Sequence, residues 1–349
     1  MLLSKKTTLH LKKRIARQPI VRKLRSFTKF RFANGRRNMV MISIVLAKNF
    51  ALAILKYNAV RASNRAINLY RRALRDLVIH GAPQNVKLLH LIYGLKENER
   101  FHYFHWALIE RMINTIKPDR ILFHYTYEPQ GYYWEKIRKK VQIVMVPPFQ
   151  YYGLAYLRHY AHKADVIRLL ALHEMGGLYL DIDTLVFKSF DDLFSPNQLI
   201  LGLERLPGSA EPAGLCNAVI LAPPNHDGIR AWLRSYMYFR GKPRKHWEEH
   251  SVTLPFSLLK QRSDVKVLDS HCFFEIGHEE ANLFFDPDQA AIASDRVADS
   301  YSQHLWETAS MTNLLADFKV PAPSNKSFLG VQLGRVSSEL PSDPESEIL

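Results

Sequence analysis

Residues 160–190 read YAHKADVIRLLALHEMGGLYLDIDTLVFKSF, and the fold turns on them. Apolar residues at helical spacing continue a helix that the pattern predicts over 155–175, and Gly176-Gly177 ends it. The next residues, 178–182 (LYLDI), are β-branched, aromatic and apolar enough to be a strand. Asp181 and Asp183 stand two apart at its C-terminal end. On a strand that spacing puts both carboxylates on one face, near the sheet edge where open α/β folds bind ligands. Two carboxylates aimed at one point repel unless a cation lies between them, and oxygen ligands suit Mn²⁺ or Mg²⁺, which normally also holds a phosphate.

Outward from this stretch the chain alternates. Residues 86–93 (VKLLHLIY), 121–125 (ILFHY) and 141–146 (VQIVMV) read as strands, and 101–116 and 134–140 as the helices between them. The order β, α, β, α, β, α, β predicts a mostly parallel, doubly wound sheet. Further strands are expected at 198–203, 216–221, 265–268 and 302–306, and helices at 226–239 and 247–260. From about Pro321 the chain turns polar and Pro/Ser-rich and reads as a tail, residues 321–349, with one Asn-x-Ser sequon at Asn325.

Composition agrees with a globular chain: 349 residues, 47% apolar and 11% aromatic. Disordered, collagen-like and coiled-coil classes are excluded. Cys216 and Cys272 make no disulfide framework and match no metal-ligand spacing. Net charge is +15 and the pI about 9.7, but that basicity is local. Residues 1–75 hold 20 Lys/Arg and no acid, whereas the remainder holds 28 Lys/Arg against 33 Asp/Glu, net −5. The chain therefore divides into a basic extension (1–75), an α/β domain (76–320) and the tail.

The extension carries an apolar stretch at 39–55 (MVMISIVLAKNFALAIL) that is about the length of a membrane span but has Lys48 and Asn49 in its middle. The readings that stay open are a weak signal anchor, an amphipathic segment on anionic lipid through residues 1–60, an organelle transit peptide, and a solvated basic tail or else a true start at Met39 or Met41. Charge alone also allows nucleic-acid binding, but no nucleic-acid motif supports it, so no specific nucleic-acid partner is expected.

Asp-x-Asp alone is common, and most instances are solvated strand ends. The context singles this one out. Asp165 and Arg168 lie three apart on one face of the preceding helix, His162 is three before Asp165, and the glycine pair permits close approach of backbone and ligand.

The run A-x-K-A-D-x-x-R-x-x-x-L-x-x-x-G-G-x-Y-L-D-x-D resembles the sugar-binding region of glycosyltransferase family 32. That family includes Golgi α-1,6-mannosyltransferases, α-1,4-galactosyltransferases and capsular polysaccharide transferases. Residues 86–94 (VKLLHLIYG) are similar to its opening strand, 216–220 (CNAVI) to its Asn-Ala strand, and 302–306 (SQHLW) to its closing His-x-Trp element. Ala164, Ile182 and Tyr93 depart from the commonest family residues. The resemblance implies an α/β fold of the GT-A type, with a single Rossmann-like, mostly parallel sheet flanked by helices. It implies transfer of a hexose, with retention, from a nucleoside-diphosphate sugar to a glycan, lipid or protein hydroxyl.

Carried over by position, Asp181 would contact sugar and ribose, Asp183 would bind the metal, and Asp165 and Arg168 would hold the donor sugar and diphosphate. Asn217 would lie near the reacting sugar. His304 would complete the metal or phosphate site, Trp306 would cover the donor, and His90 and Leu91 would sit near the base. A Golgi-type lumen or the cytoplasmic face of a bacterial membrane follows as the expected location. Read from the residues alone, His304, Trp306 and Asn217 could equally be satisfied core groups. Two other functions use the same features: a metal-dependent nucleotidyl or phosphoryl transferase, and a non-catalytic protein that binds membranes or nucleic acid through its basic extension. The pattern 246–250 (HWEEH) reads as a helix start beside a surface Trp, with Glu249 or Ser251 available to an acceptor pocket. The aromatic run 131–134 (GYYW) could stack on a sugar or pack a helix on the sheet.

Overall fold

The computed structural model describes residues 36–79, 86–240, 247–322 and 324–337. The basic run up to residue 35, His246 and residues 338–349 lie outside the described residues. Two compact units divide the chain, residues 1–62 and 63–349. The described part of the first is a stretch of one helix, α1 (Arg36–Ile79), whose C-terminal part belongs to the second unit. Among the described residues no helix is long and apolar enough to cross a membrane.

The second unit is built on seven strands: β1 (Leu88–Ile92), β2 (Arg120–Tyr125), β3 (Gln142–Met145), β6 (Gly177–Leu180), β8 (Leu199–Arg205), β9 (Pro212–Ala222) and β10 (Val265–Leu268). Two more, β4 (Tyr151–Tyr152) and β5 (Ala155–Tyr156), form a small hairpin. The sheet order is β3-β2-β1-β6-β9-β8-β10. Neighbours pair parallel except on either side of β9, which alone runs the other way. The mostly parallel α/β sheet flanked by helices expected from the alternation is what forms.

Both faces are covered, which is why the central strands are apolar throughout rather than alternating. One face carries α2 (Tyr103–Ile116), α3 (Tyr132–Ile137) and late helices, among them α7 (Ala290–Arg296), with Phe104, Leu108, Met112, Tyr133 and Trp134 in its core. The aromatic run at 131–134 is thus largely core packing. The other face carries α4 (Tyr160–Met175) and α5 (Asp227–Ser235), together with Ile67, Tyr70 and Leu74 from the end of α1. Phe328, Leu329 and Leu333, on the helix Phe328–Ser337, are also buried in the first core. Burial therefore begins before residue 76 and continues past residue 321, because it follows apolar side chains and not the charge boundary.

Three local elements differ from expectation. The long helix begins at Tyr160 rather than 155, since Gly153 at φ +58° turns the preceding residues into the β4–β5 hairpin. The helix expected at 247–260 is a π-type turn (Glu249–Thr253) running into α6 (Leu254–Leu259). Strand β6 ends at Leu180, so Asp181-Ile182-Asp183 is a turn, closed by the Thr184 N–H on the Asp181 carbonyl at 3.1 Å.

Candidate active site

Gly176 and Gly177 place the carboxylates. Their φ values are +66° and +109°, and a Cβ at Gly176 would stand 2.6 Å from Pro224 Cδ, one at Gly177 2.8 Å from the Leu88 carbonyl oxygen. Only glycine passes from α4 into β6 through that gap. The strand then delivers the turn 181–183 to the C-terminal edge of the sheet. A two-stranded ribbon of β7 (Thr184–Val186) and β11 (Ser302–His304) follows, and its register sets His304 opposite Thr184.

Each carboxylate has one oxygen held by protein and one directed at a shared point. Asp181 Oδ1 accepts from the Tyr179 hydroxyl at 2.5 Å and pairs with Arg168 Nη1 at 3.0 Å. Asp183 Oδ2 accepts from the Glu307 backbone N–H at 2.6 Å. Glu307 is the first residue of α8 (Glu307–Phe318), whose N-terminus favours a negative charge. The remaining oxygens face the same imidazole nitrogen: Asp183 Oδ1 is 3.2 Å and Asp181 Oδ2 3.7 Å from His304 Nε2. One ligand atom from each of the three residues lies within 4.8 Å of the others. Two carboxylate oxygens and one imidazole are a donor set that suits Mn²⁺ and accepts Mg²⁺. Asp183 and His304, expected at a metal site, stand together with Asp181 as three residues that could hold an ion.

The electrostatics show how closely these groups act on one another. Burial raises Asp181, and Asp183 adds to that against the opposing pull of Arg168 and His304. Burial also pushes Asp183 up, but His304 and the Glu307 N–H outweigh it and hold the carboxylate down. Burial lowers His304, and Asp183 and Asp181 more than reverse it.

Beside this cluster Asp165, Arg168 and Asn217 form a buried lattice. Asn217 Nδ2 donates to Asp165 Oδ1 at 2.7 Å, and Arg168 Nη1 donates to the Asn217 carbonyl at 2.6 Å and its Oδ1 at 3.1 Å. Arg168 Nη2 reaches Asp165 at 3.5 Å, and the guanidinium lies 4.5 Å from the centre of the Tyr179 ring. Burial disfavours the Arg168 charge, yet Asp181, Tyr179 and Asp165 raise its pKa above the ordinary value. The guanidinium is thus engaged largely by protein groups, and it orients Asp181 and Asn217 rather than standing free for a diphosphate.

Asp181, Asp183, His304, Arg168 and Asn217 line a cavity of about 370 Å³, together with residues 92–96 from the end of β1 onward, Trp247, Ser251 and Trp306, whereas Asp165 is not part of its lining. Trp306 sits at φ +55° directly before α8, and its indole N–H donates to the Ile276 carbonyl at 2.9 Å. A tryptophan in the left-handed region is strained by about 1–2 kcal/mol. His90 and Leu91 do not line the cavity. Leu91 is in the core, and His90 donates Nε2–H to the Gly176 carbonyl at 2.8 Å. Its Nδ1 is 3.0 Å from His124 Nε2, whose Nδ1 in turn is 2.9 Å from the Tyr70 hydroxyl. His162 packs between Phe239 and Trp247 outside the cavity lining. Ser251 lines the cavity, whereas Glu249 pairs with Arg240 at 2.9 Å. Tyr179, Glu204 and Glu307 were not singled out by sequence reasoning; Glu204, an acid at the end of an apolar strand, carried a usable signal.

Residues 127–200, which hold Asp165, Arg168, Asp181 and Asp183, match the family described as glycosyltransferase sugar-binding region containing DXD motif. Residues 251–320, which hold His304 and Trp306, match the alpha 1,4-glycosyltransferase conserved region. Two stretches of the chain are thus similar to glycosyltransferase regions. Among curated proteins this chain is 36% identical over 238 residues to "Glucan organizing enzyme 1" of Cryptococcus neoformans var. grubii, covering 64% of this chain and 63% of that protein's length. It is 32% identical over 104 residues to "Toxin Afp18" of Yersinia ruckeri, 29% of this chain and 5% of the toxin. Solved structures with loose likeness include the PaToxG glycosyltransferase (16% identity, TM-score 0.36, 80% of this chain and 98% of that one) and the galactosyltransferase LgtC, solved in complex with donor and acceptor sugar analogs (14% identity, TM-score 0.42, 74% and 98%).

Proposed function

We propose that this chain transfers a hexose from a nucleoside-diphosphate sugar to a hydroxyl of a glycan, lipid or protein, with retention of anomeric configuration and with Mn²⁺ or Mg²⁺ as cofactor. The observation that carries the reading is the convergence of Asp181 Oδ2, Asp183 Oδ1 and His304 Nε2 at the wall of one cavity, inside a glycosyltransferase domain. Asp181, Asp183 and His304 would hold the cation. When bound, it supplies positive charge to the diphosphate oxygens that take up the leaving electron pair.

The remaining roles fall to the chain itself. Arg168 and Tyr179 fix Asp181 Oδ1, so that its other oxygen stays directed at the shared point. The Glu307 N–H fixes Asp183 in the same way. Asn217, held by Asp165 behind it, presents a polar group to the sugar. Trp306 shields the site from water, which strengthens each of these interactions. In the transfer the bond from the anomeric carbon to the diphosphate breaks and a bond to the acceptor oxygen forms on the same face. The hydroxyl proton leaves with the diphosphate.

Release of nucleoside diphosphate from a panel of UDP- and GDP-sugars, with and without Mn²⁺, tests the reading. Asp183→Asn is expected to lower metal-dependent release by at least ~100-fold, the scale of losing one strong electrostatic partner at the reacting group, while the thermal midpoint stays near that of the wild type. Undiminished turnover in that variant removes the metal role. The basic composition of residues 1–60 supports placement on an anionic membrane surface, which co-sedimentation with phosphatidylserine vesicles at low and high salt examines directly.

A further inference from the structure

A second cavity of about 350 Å³ adjoins the first, and Glu204, His278 and Trp306 line both. Glu204 is the penultimate residue of β8 and is 8% exposed. The Cys216 thiol donates to its carboxylate, but Oε2 has no hydrogen-bond partner among the described residues. A buried carboxylate oxygen without a donor is costly unless something fills the space in front of it.

The rest of the second wall narrows what that can be. Arg296 is engaged by Glu275 at 3.1 Å and Glu280 at 2.6 Å, so its charge is matched twice over. Arg205 turns to Asp269 at 2.8 Å. Glu279 accepts only a long bond, from the Gly208 N–H at 3.3 Å, and lies 3.4 Å from His278 Nδ1. The wall is therefore net acidic and offers acceptors rather than donors. An anionic ligand is repelled, and an apolar one leaves Glu204 unsatisfied. A polyol supplies the missing O–H groups. Trp306, pinned through its indole N–H, provides a fixed apolar ring of the kind that suits the C–H face of a pyranose.

We propose that this second cavity is the acceptor subsite and takes a neutral saccharide, whose hydroxyls hydrogen-bond the Glu204 carboxyl group. The proposal rests on glycosyl transfer as read above and names its acceptor class.

The test uses the full chain with Mn²⁺ and whichever of UDP-glucose, UDP-galactose or GDP-mannose the wild type hydrolyses. Nucleoside-diphosphate release is compared without acceptor and with maltotriose, laminaritriose or lactose. Glu204→Gln, which keeps the shape but offers a weaker acceptor, is expected to lower the ratio of saccharide transfer to hydrolysis by ~10-fold or more, through a raised acceptor KM. Ala210→Trp, which fills the second cavity from its rim, is expected to do the same and serves if Glu204→Gln fails to fold. A raised donor KM with an unchanged acceptor KM in both variants overturns the proposal. If the wild type turns over none of the donors, the glycosyl-transfer reading fails, and saturation-transfer NMR with the three saccharides still decides the cavity. Signal abolished by Ala210→Trp supports the subsite; signal that persists, or none with the wild type, refutes it.

Discussion

Replacing Arg168 by methionine isolates the buried lattice. Arg168 is 4% exposed, and its guanidinium pairs with Asp181 at 3.0 Å and Asp165 at 3.5 Å. Methionine keeps an apolar stem and removes the charge, so two carboxylates lose their counter-ion. Removing one partner of a buried ion pair costs about 3–5 kcal/mol. Asp181 keeps the Tyr179 hydroxyl and has 22% of its side chain exposed, so water screens part of its loss. The lower end, about 3 kcal/mol, is the expectation. For a unit of this size that corresponds to a fall of about 6 °C in the thermal midpoint. Urea and thermal unfolding in EDTA at neutral pH measure it without metal stabilising Asp181. Adding Asp165→Asn removes one of the stranded charges and is expected to recover about 1–2 kcal/mol. A single-variant loss below about 1 kcal/mol, or a double variant less stable than the single by the full cost of Asp165→Asn alone, refutes the claim that the lattice is held by charge.

Other outcomes follow from the same coordinates. Burial lowers His90 to about 4, with the Gly176 carbonyl pulling the other way. The unfolded chain therefore binds the proton first, and stability present above pH 6.5 is lost as pH falls from 6.5 to 4, by about 1.4 kcal/mol per unit. The difference between wild type and His90→Gln in urea unfolding across that window reads it, and a pH-independent difference contradicts it. Gly176→Ala is expected to destabilise by about 2 kcal/mol or more, from left-handed strain and the clash with Pro224, seen as a lower urea midpoint. Asp183→Asn should abolish the stabilisation that Mn²⁺ gives the wild type in a thermal melt, a readout independent of turnover.

The sheet was legible because it is buried on both faces: β1, β2 and β3 are unbroken apolar runs and fall within two residues of the sequence reading. Boundaries set by tertiary contacts were less legible. No local signal separates 155–159 from α4, since the hairpin there is held by backbone pairing of Tyr151 with Tyr156. Tyr70 was grouped with the basic extension, because the neighbouring arginines dominate the composition while its own hydroxyl is buried on His124. In the site, Asp165, Arg168, Asp181 and Asp183 were visible from spacing. The pleat of a strand was the wrong reason for the convergence of the aspartates, which a turn produces. His90 was assigned to the base pocket by position along β1. Its side chain instead points into the sheet's packed interior, where it meets Gly176. Glu204 escaped notice because its meaning depends on a cavity wall assembled from β8 and a distant loop.

The bond from the Glu307 N–H to Asp183 joins residues 124 positions apart. A polypeptide emerging from the ribosome presents the Asp-x-Asp turn long before the segment that completes it. Closing so long a loop is entropically opposed until the intervening chain has folded. The Asp181–Asp183–His304 cluster is consequently a late product of synthesis, and a chain truncated before β11 holds the recognisable motif without the imidazole. Among C-terminal truncations, divalent-ion affinity thus dates the moment at which the domain is finished.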